Sequence, residues 1–200
     1  MTTNELLLRF VAKVSETREY MRSPVLKGEF VYATNGHIVI RVPYDPVIDH
    51  IESDKLDNFP ALFVERQHDA FIDLPELPAA EQCNVCLGSG QAYRCPDCDG
   101  EGEFEHGLHS YSCKECNGSG QSDHNDYGTK NTELCDACDG YGKKRGQQVK
   151  VGSMFYDRRY LQQIIDLPYH KFSEPKKGLS NLIAYFTFLG GEGLLMPIVN

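Results

Sequence analysis

Four copies of one short unit rich in cysteine and glycine constrain this 200-residue chain more than any other feature. They read CNVCLGSG (83–90), CPDCDGEG (95–102), CKECNGSG (113–120) and CDACDGYG (135–142), and they contain all eight cysteines. In each unit two cysteines flank a tight turn. The glycine two residues beyond the second cysteine permits the positive φ with which the chain folds back under a bound ion. The repeat therefore predicts a metal-binding segment in the middle of the chain.

The cysteines are predicted to bind zinc rather than to form disulfides. The N-terminus lacks the basic region and cleavage site of a signal peptide, and no apolar run reaches the roughly 18–20 residues of a membrane span, so we expect a cytoplasmic protein with reduced thiols. Two thiolates of one C-x-x-C turn reach the same tetrahedral ion. Four units thus predict two Zn²⁺ in closed, structural four-cysteine sites. Spacers of 8, 14 and 18 residues suit a nested pairing of the units but leave other pairings open.

The four consecutive units resemble the cysteine-rich zinc domain of J-protein (DnaJ-type) chaperones. The resemblance implies a V-shaped β-hairpin module used for protein contacts, with two sets of zinc ligands. The sets are Cys83, Cys86, Cys135 and Cys138 (site 1), and Cys95, Cys98, Cys113 and Cys116 (site 2). The 200 residues contain no His-Pro-Asp tripeptide, no helical J domain and no Gly/Phe-rich linker, so stimulation of a chaperone ATPase is not expected.

Other chemistry-bearing residues are few. His106 and His109 form an H-x-x-H pair between units two and three, but eight cysteines already fill two tetrahedra, so these histidines are not expected to bind the metal. The chain has no G-x-S-x-G, H-E-x-x-H or P-loop motif and no cysteine outside the units. We therefore predict that it is not an enzyme and has no small-molecule substrate.

The N-terminal flank is predicted to contain a helix followed by a β-hairpin. Thr2 and Glu5 can form a capping box, and an apolar face at helical spacing follows it. The residues of that face are Leu7, Phe10, Val11 and Val14. Two β-rich runs then surround Asn35-Gly36, which is the strongest short hairpin signal, and this pattern predicts a hairpin over residues 29–42.

The C-terminal flank repeats this order. Asp157 is a candidate helix cap and Pro168 a stop, with an apolar face between them at Tyr160, Leu161, Ile164 and Ile165. The apolar runs LIAYFTFL (182–189) and LLMPIV (194–199) then predict two strands joined by a turn at 190–193. Helix and hairpin thus occur twice, and neither half is large enough to be stable alone.

These patterns predict an α+β fold in two parts. Residues 1–82 plus 143–200 form a discontinuous, internally duplicated domain in which each half has one helix and one sheet. Residues 83–142 form an inserted zinc-binding β-hairpin module.

The flanks also resemble a single domain of the bacterial DNA polymerase sliding clamp. The resemblance rests on the order of elements, on ATNGHIVIRV (33–42), where Ala33, Thr34, Gly36 and His37 form a strand-turn-strand, and on GLLMPIVN (193–200), where Met196-Pro197 lies in the last strand. It implies a clamp-like domain, although a clamp ring contains six such domains and no zinc module.

Charge is distributed unevenly along the chain. Residues 83–142 carry three Lys or Arg against eleven Asp or Glu (−8), whereas residues 143–200 carry nine against four (+5). Eight thiolates outweigh the charge of two zinc ions, so the metal-loaded segment is more negative still and should repel phosphate backbones. Candidate nucleic-acid contacts follow it at Lys143, Lys144, Arg145, Arg158 and Arg159. Because no aromatic residues are interleaved with Lys143–Arg145, a solvated loop that offsets the acidic segment is the favoured interpretation.

The leading hypothesis is a non-enzymatic zinc-binding adaptor of bacterial or phage origin, with a protein partner and no membrane association. One alternative is a DNA-associated accessory of replication or recombination with a clamp-like domain, for which salt-dependent DNA binding would be the signature. The other is a chaperone without a J domain that holds unfolded polypeptides.

Overall fold

The structure is a computed structural model that describes residues 1–13, 16–64, 70–122, 132–175 and 182–199. The chain forms two compact units: unit 1 is Met1–Leu77 with Gln148–Asn200, and unit 2 is Pro78–Gln147. Unit 2 extends beyond residues 83–142 because the segments on either side of the repeat pair with each other. Gln82 and Lys143 form an antiparallel bridge, and the Lys144 amide donates to the Glu81 carbonyl at 2.9 Å. No helix in the described ranges is long and apolar enough to cross a membrane.

The fold is mixed α/β and mostly sheet. The helices within the described residues are α1 (Thr3–Leu8), α2 (Phe59–Val64) and α3 (Arg158–Ile165), with a 3-10 turn at Glu19–Met21. The strands before the cysteine repeat are β1 (Val25–Lys27), β2 (Phe30–Thr34), β3 (Ile38–Pro43) and β4 (Ile51–Glu52). Those of unit 2 are β5 (Gln91–Arg94), β6 (Glu103–His106), β7 (His109–Ser112), β8 (Gln121–Ser122) and β9 (Glu133–Leu134). Those that follow are β10 (Gln148–Val151), β11 (Met154–Asp157), β12 (Lys171–Ser173), β13 (Ala184–Phe188) and β14 (Gly191–Leu195).

Seven of the described strands of unit 1 form one sheet in the order β12-β13-β14-β3-β2-β1-β4. β3 and β14 pair antiparallel at its centre, with Arg41 opposite Glu192 and Ile38 opposite Leu195. On each side of this pair a helix precedes three antiparallel strands, α1 before β1–β3 and α3 before β12–β14. The two runs of strands therefore share one sheet, where one sheet in each half was expected.

The sheet buries apolar side chains on both faces. Along β3, Ile38 and Ile40 belong to the larger core, which also contains Leu7 of α1 and Leu161 of α3. The intervening Val39 belongs to a smaller core on the other face, together with Tyr32, Leu56, Phe63, Tyr185 and Leu194. Alternation along a strand places successive side chains on opposite faces, and both faces of the central strands are therefore apolar.

The two helices flanking the strands have the caps that the sequence indicates. Thr2 and Glu5 form the full capping box of α1, and the Asp157 side chain accepts the Arg159 amide at 2.8 Å at the start of α3. α1 is shorter than its apolar spacing predicts. The chain leaves the helix after Leu8 because the Ala12 amide bonds to the Met21 carbonyl, at 2.7 Å, and Phe10 is buried from the following turn. The predicted Val14 lies outside the described residues.

The last hairpin corrects the predicted turn. Phe188 pairs with Gly191, so the turn is Leu189-Gly190 and the glycines at 191 and 193 belong to β14. A Cβ on Gly193 would overlap the ring of Phe186, its cross-strand partner, and one on Gly191 would overlap Phe188 and the Arg41 carbonyl. These two glycines leave space for the rings of Phe186 and Phe188 on the neighbouring strand. Their spacing in the sequence is equally compatible with a turn. Met196-Pro197, expected in the last strand, lies beyond β14.

Candidate metal centres

Unit 2 is built by nested pairing of the four repeat units. The innermost element is the hairpin β6–β7, which joins the second unit to the third, with His106 opposite His109 beside its turn. β5 lies between β8 and β9 in a small sheet, and the buried Gln121 side chain accepts from the Asp136 amide and donates to the Leu134 carbonyl. This sheet brings the chain back to the first CxxCxGxG repeat, so that the first and fourth repeats meet.

The eight cysteines meet in two buried sets. Site 1 is formed by Cys83, Cys86, Cys135 and Cys138, and site 2 by Cys95, Cys98, Cys113 and Cys116. Within each set all Sγ atoms lie within 4.8 Å of one another, and the cross-unit pairs are 3.6–3.9 Å apart. A tetrahedron with Zn–S bonds of 2.3 Å has edges of about 3.8 Å. The sulfurs therefore fit a tetrahedral zinc ion, and the sets are the two that the DnaJ-type resemblance implies.

Glycines at the end of each unit bind the sulfurs and the partner unit. The amides of Gly90, Gly102, Gly120 and Gly142 donate to the second cysteine of their own unit, with N to Sγ distances of 3.2 or 3.3 Å. Their carbonyls accept the amide of the first cysteine in the partner unit, as in Cys83 to Gly142 and Cys135 to Gly90, both at 3.0 Å. Such outer hydrogen bonds orient metal ligands.

The same glycines leave no room for a side chain. A Cβ on Gly90 would overlap the Gly140 carbonyl oxygen, and one on Gly120 would overlap that of Gly100. The two units of each site thus approach backbone to backbone, and the repeat requires glycine here for contact as well as for its positive φ.

Burial and hydrogen bonding act in opposite directions on the thiols. Burial raises the pKa of Cys95 and Cys135 to about 12. Burial also acts to raise the pKa of Cys86 and Cys116, but the amides and thiols that donate to these sulfurs outweigh it and lower the pKa to about 7. Each set therefore contains one thiol with a lowered pKa, Cys86 or Cys116, and one with a strongly raised pKa, Cys135 or Cys95, whose ionisation would be favoured by a cation. Zinc would supply that positive charge, and its binding would release protons.

The predicted accessory residues are placed differently. His106 and His109 are exposed at the tip of the β6–β7 hairpin and belong to neither cysteine set. The candidate nucleic-acid contacts do not share one unit, since Lys143, Lys144 and Arg145 lie in unit 2 whereas Arg158 and Arg159 begin α3 in unit 1.

Several of these cations already have partners. Lys144 pairs with Glu81 at 2.9 Å, and Arg145 pairs with Asp139 and donates to the Asp136 carbonyl. In α3, Arg159 is half-buried over the ring of Tyr160, and Arg158 is also half-buried. Lys144 and Arg145 therefore offset nearby acidic groups, and Arg159 covers the aromatic surface of Tyr160.

A buried ionic cluster in unit 1 was not predicted. Arg41 donates to Glu192 through Nε at 2.8 Å and Nη2 at 2.5 Å, and its guanidinium carbon lies over the rings of Phe30 and Phe63, at 4.2 and 4.1 Å from their centroids. Tyr32 accepts from Arg41 and Tyr185 donates to Glu192. The available signal was one arginine within the apolar run IVIRV, but its partner is distant in sequence and is identified only by the β3–β14 register.

Comparison with known proteins assigns no family. No family model matches the chain, and no curated protein or solved structure is significantly similar to it. What the geometry supports is a pair of buried four-cysteine clusters able to bind metal, consistent with a zinc-finger module.

Proposed function

We propose that this chain is a non-enzymatic adaptor in which two zinc ions fold unit 2 into a surface for another protein. The observation that carries the proposal is the pair of closed, buried four-cysteine sets. Four sulfurs complete the tetrahedron of each ion, so a bound zinc would have no free position for substrate or activated water, and its role would be structural. Because thiolate ligands need a reducing compartment, the proposed location is the cytoplasm of a bacterium or of a phage-infected cell.

The ancestry of the two units belongs to the same proposal. Unit 2 is proposed to be a DnaJ-type cysteine-rich module, supported by its nested pairing of C-x-x-C-x-G-x-G units. Unit 1 is proposed to be a clamp-like, internally duplicated domain, supported by the helix and three strands that recur on both sides of the β3–β14 pair. With such a scaffold the zinc module would be displayed on a stable α/β domain.

The recurring topology of unit 1 also supports a second candidate, a DNA-associated accessory of replication or recombination. The charge of residues 83–142 opposes DNA contact by the zinc module. Any DNA contact would therefore lie outside residues 83–142, and Lys143, Lys144, Arg158 and Arg159 would be the first residues to replace.

Binding by two versions of the full chain tests the adaptor. The zinc-loaded protein and the Cys98→Ser/Cys116→Ser variant are each immobilised on a resin and incubated with a bacterial lysate. The proteins that each resin retains are quantified and purified, and each is then titrated against both versions of the chain. We expect at least one purified protein to bind the zinc-loaded chain at least about tenfold more tightly than the variant, because loss of one site disorders the proposed surface.

The opposite result is equally defined. Partners retained equally by both versions would refute a zinc-folded contact surface.

Anisotropy titrations with single- and double-stranded DNA between about 50 and 200 mM salt complete the test, since a steep loss of affinity with salt marks phosphate contacts. DNA binding with that slope, without a zinc-dependent protein partner, would replace the adaptor with the DNA-associated accessory.

A further inference from the structure

The β6–β7 hairpin has one face made entirely of aromatic side chains. Phe104 is opposite Tyr111, and His106 is opposite His109. Residues two apart in a strand and residues directly opposite each other share a face, so these four rings lie together and are called the aromatic face below. The other face carries Glu103, Glu105, Ser110 and Ser112, and a hydrogen bond from Ser110 to Glu103 at 2.5 Å runs across it.

The aromatic face is open to solvent. Every residue of β6 and β7 is exposed, and Phe104 and Tyr111 retain 44% and 54% of their accessible surface. Leu108, in the turn, is fully exposed. Large side chains grouped on one exposed face, rather than scattered singly, indicate a contact surface. The rings of His109 and Tyr111 approach edge to face, with 6.4 Å between their centroids.

The metal site holds this face in place. β6 begins directly after Gly102 and β7 ends directly before Cys113, and the Cys113 amide bonds to the Gly102 carbonyl at 2.8 Å. Gly107 has φ +64°, which suits the first position of a two-residue type II′ turn at the other end. A two-stranded hairpin alone is barely stable in water, so site 2 at its base would supply the order that displays the rings.

Charge selects the kind of partner. Residues 95–116 contain six Asp or Glu against one Lys, and the thiolates of a zinc-loaded site 2 add further negative charge. Aromatic rings attract cations above their faces, most often guanidinium groups, whereas the surrounding carboxylates repel phosphates. A surface of exposed rings within an acidic segment is complementary to a cationic chain and not to a nucleic acid.

We propose that the aromatic face of the β6–β7 hairpin binds a basic polypeptide segment, with Arg or Lys side chains stacked on Phe104 and Tyr111 and attracted by the net negative charge of residues 95–116. The proposal rests on the adaptor function and names the partner class and the residues that contact it. It places the contact at the tip of unit 2, remote in sequence from the candidate cations that follow the last repeat unit.

The test uses the zinc-loaded full chain and a fluorescein-labelled twelve-residue peptide in which arginine alternates with serine and glycine. Two comparison probes are measured in the same way. They are a peptide with glutamate in place of arginine and a twelve-nucleotide oligo-dT. Affinities are measured by anisotropy at pH 7.5, and zinc content is measured for every variant.

The decisive variant is Phe104→Thr/Tyr111→Thr, which keeps strand propensity while removing both rings. Leu87→Asn is the matched control, because Leu87 is also an exposed apolar residue of unit 2, lies outside the hairpin and has a positive φ that asparagine tolerates. We expect the double variant to bind the arginine peptide at least about tenfold more weakly, with the control within about twofold of the parent. If the Thr variant loses zinc, Phe104→Leu/Tyr111→Leu replaces it, since leucine keeps apolar surface without the ring.

Several outcomes would overturn the proposal. These are failure of the arginine peptide to bind the parent, equal affinity of parent and ring variants, equal affinity for the glutamate peptide, preference for oligo-dT, or a dimer by light scattering that the ring variants abolish. The adaptor itself is judged separately: a zinc-dependent partner that still binds the ring variants would leave the adaptor intact and refute only this contact.

Discussion

The two units achieve order by different means. Unit 1 buries large apolar side chains on both faces of a seven-stranded sheet, among them Phe172 and Phe186 in the larger core and Phe63 in the smaller one. Among the described residues of unit 2, the buried hydrophobic clusters are the cysteine sets themselves, joined at site 1 by Ala92 and the partly buried Val85. Short exposed strands and turns with positive φ cannot exclude enough water to be stable alone. Unit 1 is therefore a conventional hydrophobic fold, whereas we expect unit 2 to depend on bound metal for its stability.

Metal removal is the largest perturbation that separates the units. Chelation of both ions, or Cys98→Ser/Cys116→Ser for site 2, should unfold unit 2 while unit 1 keeps its sheet, because zinc binding contributes on the order of 10 kcal/mol to such modules. Hydrogen exchange is the measurement: amides of β5–β9 should lose protection, and those of β3 and β14 should keep theirs. Simultaneous loss of protection in both units would show that the contrast is wrong.

A second perturbation tests whether backbone contact, and not only sulfur, closes the sites. Gly120→Ala places a Cβ against the Gly100 carbonyl, whereas Gly107→Ala, at a similar positive φ, meets no atom within 4 Å. Both substitutions incur the left-handed backbone cost of about 1 kcal/mol. Only Gly120→Ala should lower the zinc affinity of site 2, by roughly 100-fold, as measured by competition with a chromophoric chelator. Equal effects of the two substitutions would leave conformation, not contact, as the reason for glycine.

The contrast also explains what the sequence can predict. In unit 2 the ligands and the turn glycines belong to a local repeat, so the sequence identifies them directly. The nested pairing, which the spacers leave open, was implied by the DnaJ-type resemblance and agrees with the two cysteine sets. In unit 1 the decisive facts are non-local. Nothing near Arg41 indicates Glu192, and the glycines at 191 and 193 resemble a turn until Phe186 and Phe188 are placed across from them.

One element of unit 1 was missed for a related reason. Helix α2 lies within residues 43–82, where five prolines favour loops and short strands, but Pro60 occupies its first turn, where a missing amide is tolerated. Phe63 of this helix is fully buried and covers Arg41. Tertiary packing, rather than local propensity, accounts for this helix.

The buried ion pair provides a perturbation of intermediate size, confined to unit 1. Glu192→Gln leaves the guanidinium of Arg41, only 5% exposed, without its counter-charge, and should lower the free energy of unfolding by about 2–3 kcal/mol. Asp57→Asn removes the carboxylate from the exposed pair with Lys27, whose N to O distance is 2.6 Å, and should cost less than about 1 kcal/mol. Urea denaturation followed by far-UV circular dichroism measures both, and zinc content should stay unchanged. A milder effect for Glu192→Gln than for Asp57→Asn would contradict the ranking.

The smallest expected effect is a gain in stability. The Tyr156 hydroxyl is buried in the larger core and has no hydrogen-bond partner among the described residues. Because an unsatisfied buried hydroxyl is unfavourable, Tyr156→Phe should raise the unfolding free energy of unit 1 by about 1 kcal/mol without changing zinc content. Tyr32→Phe is the matched control, since its hydroxyl accepts a hydrogen bond from Arg41 at 3.1 Å and its loss should destabilise.

The same substitution should change how unit 1 responds to alkali. Burial, followed by the charge of Glu174, raises the pKa of Tyr156 above its ordinary value of 10. A raised pKa means that the unfolded chain loses this proton at lower pH than the folded chain, so the stability contributed by the neutral phenol is complete below pH 10 and is lost progressively above it. At pH 11 the parent should therefore have lost about 1 kcal/mol more unfolding free energy than Tyr156→Phe, relative to pH 8.

Unit 2 should respond in the opposite direction and lose stability as the pH falls, because protons compete with zinc for the thiolates. Hydrogen exchange of both units across the pH range would measure the two trends, and an alkaline loss shared equally by parent and variant would assign it to groups other than Tyr156.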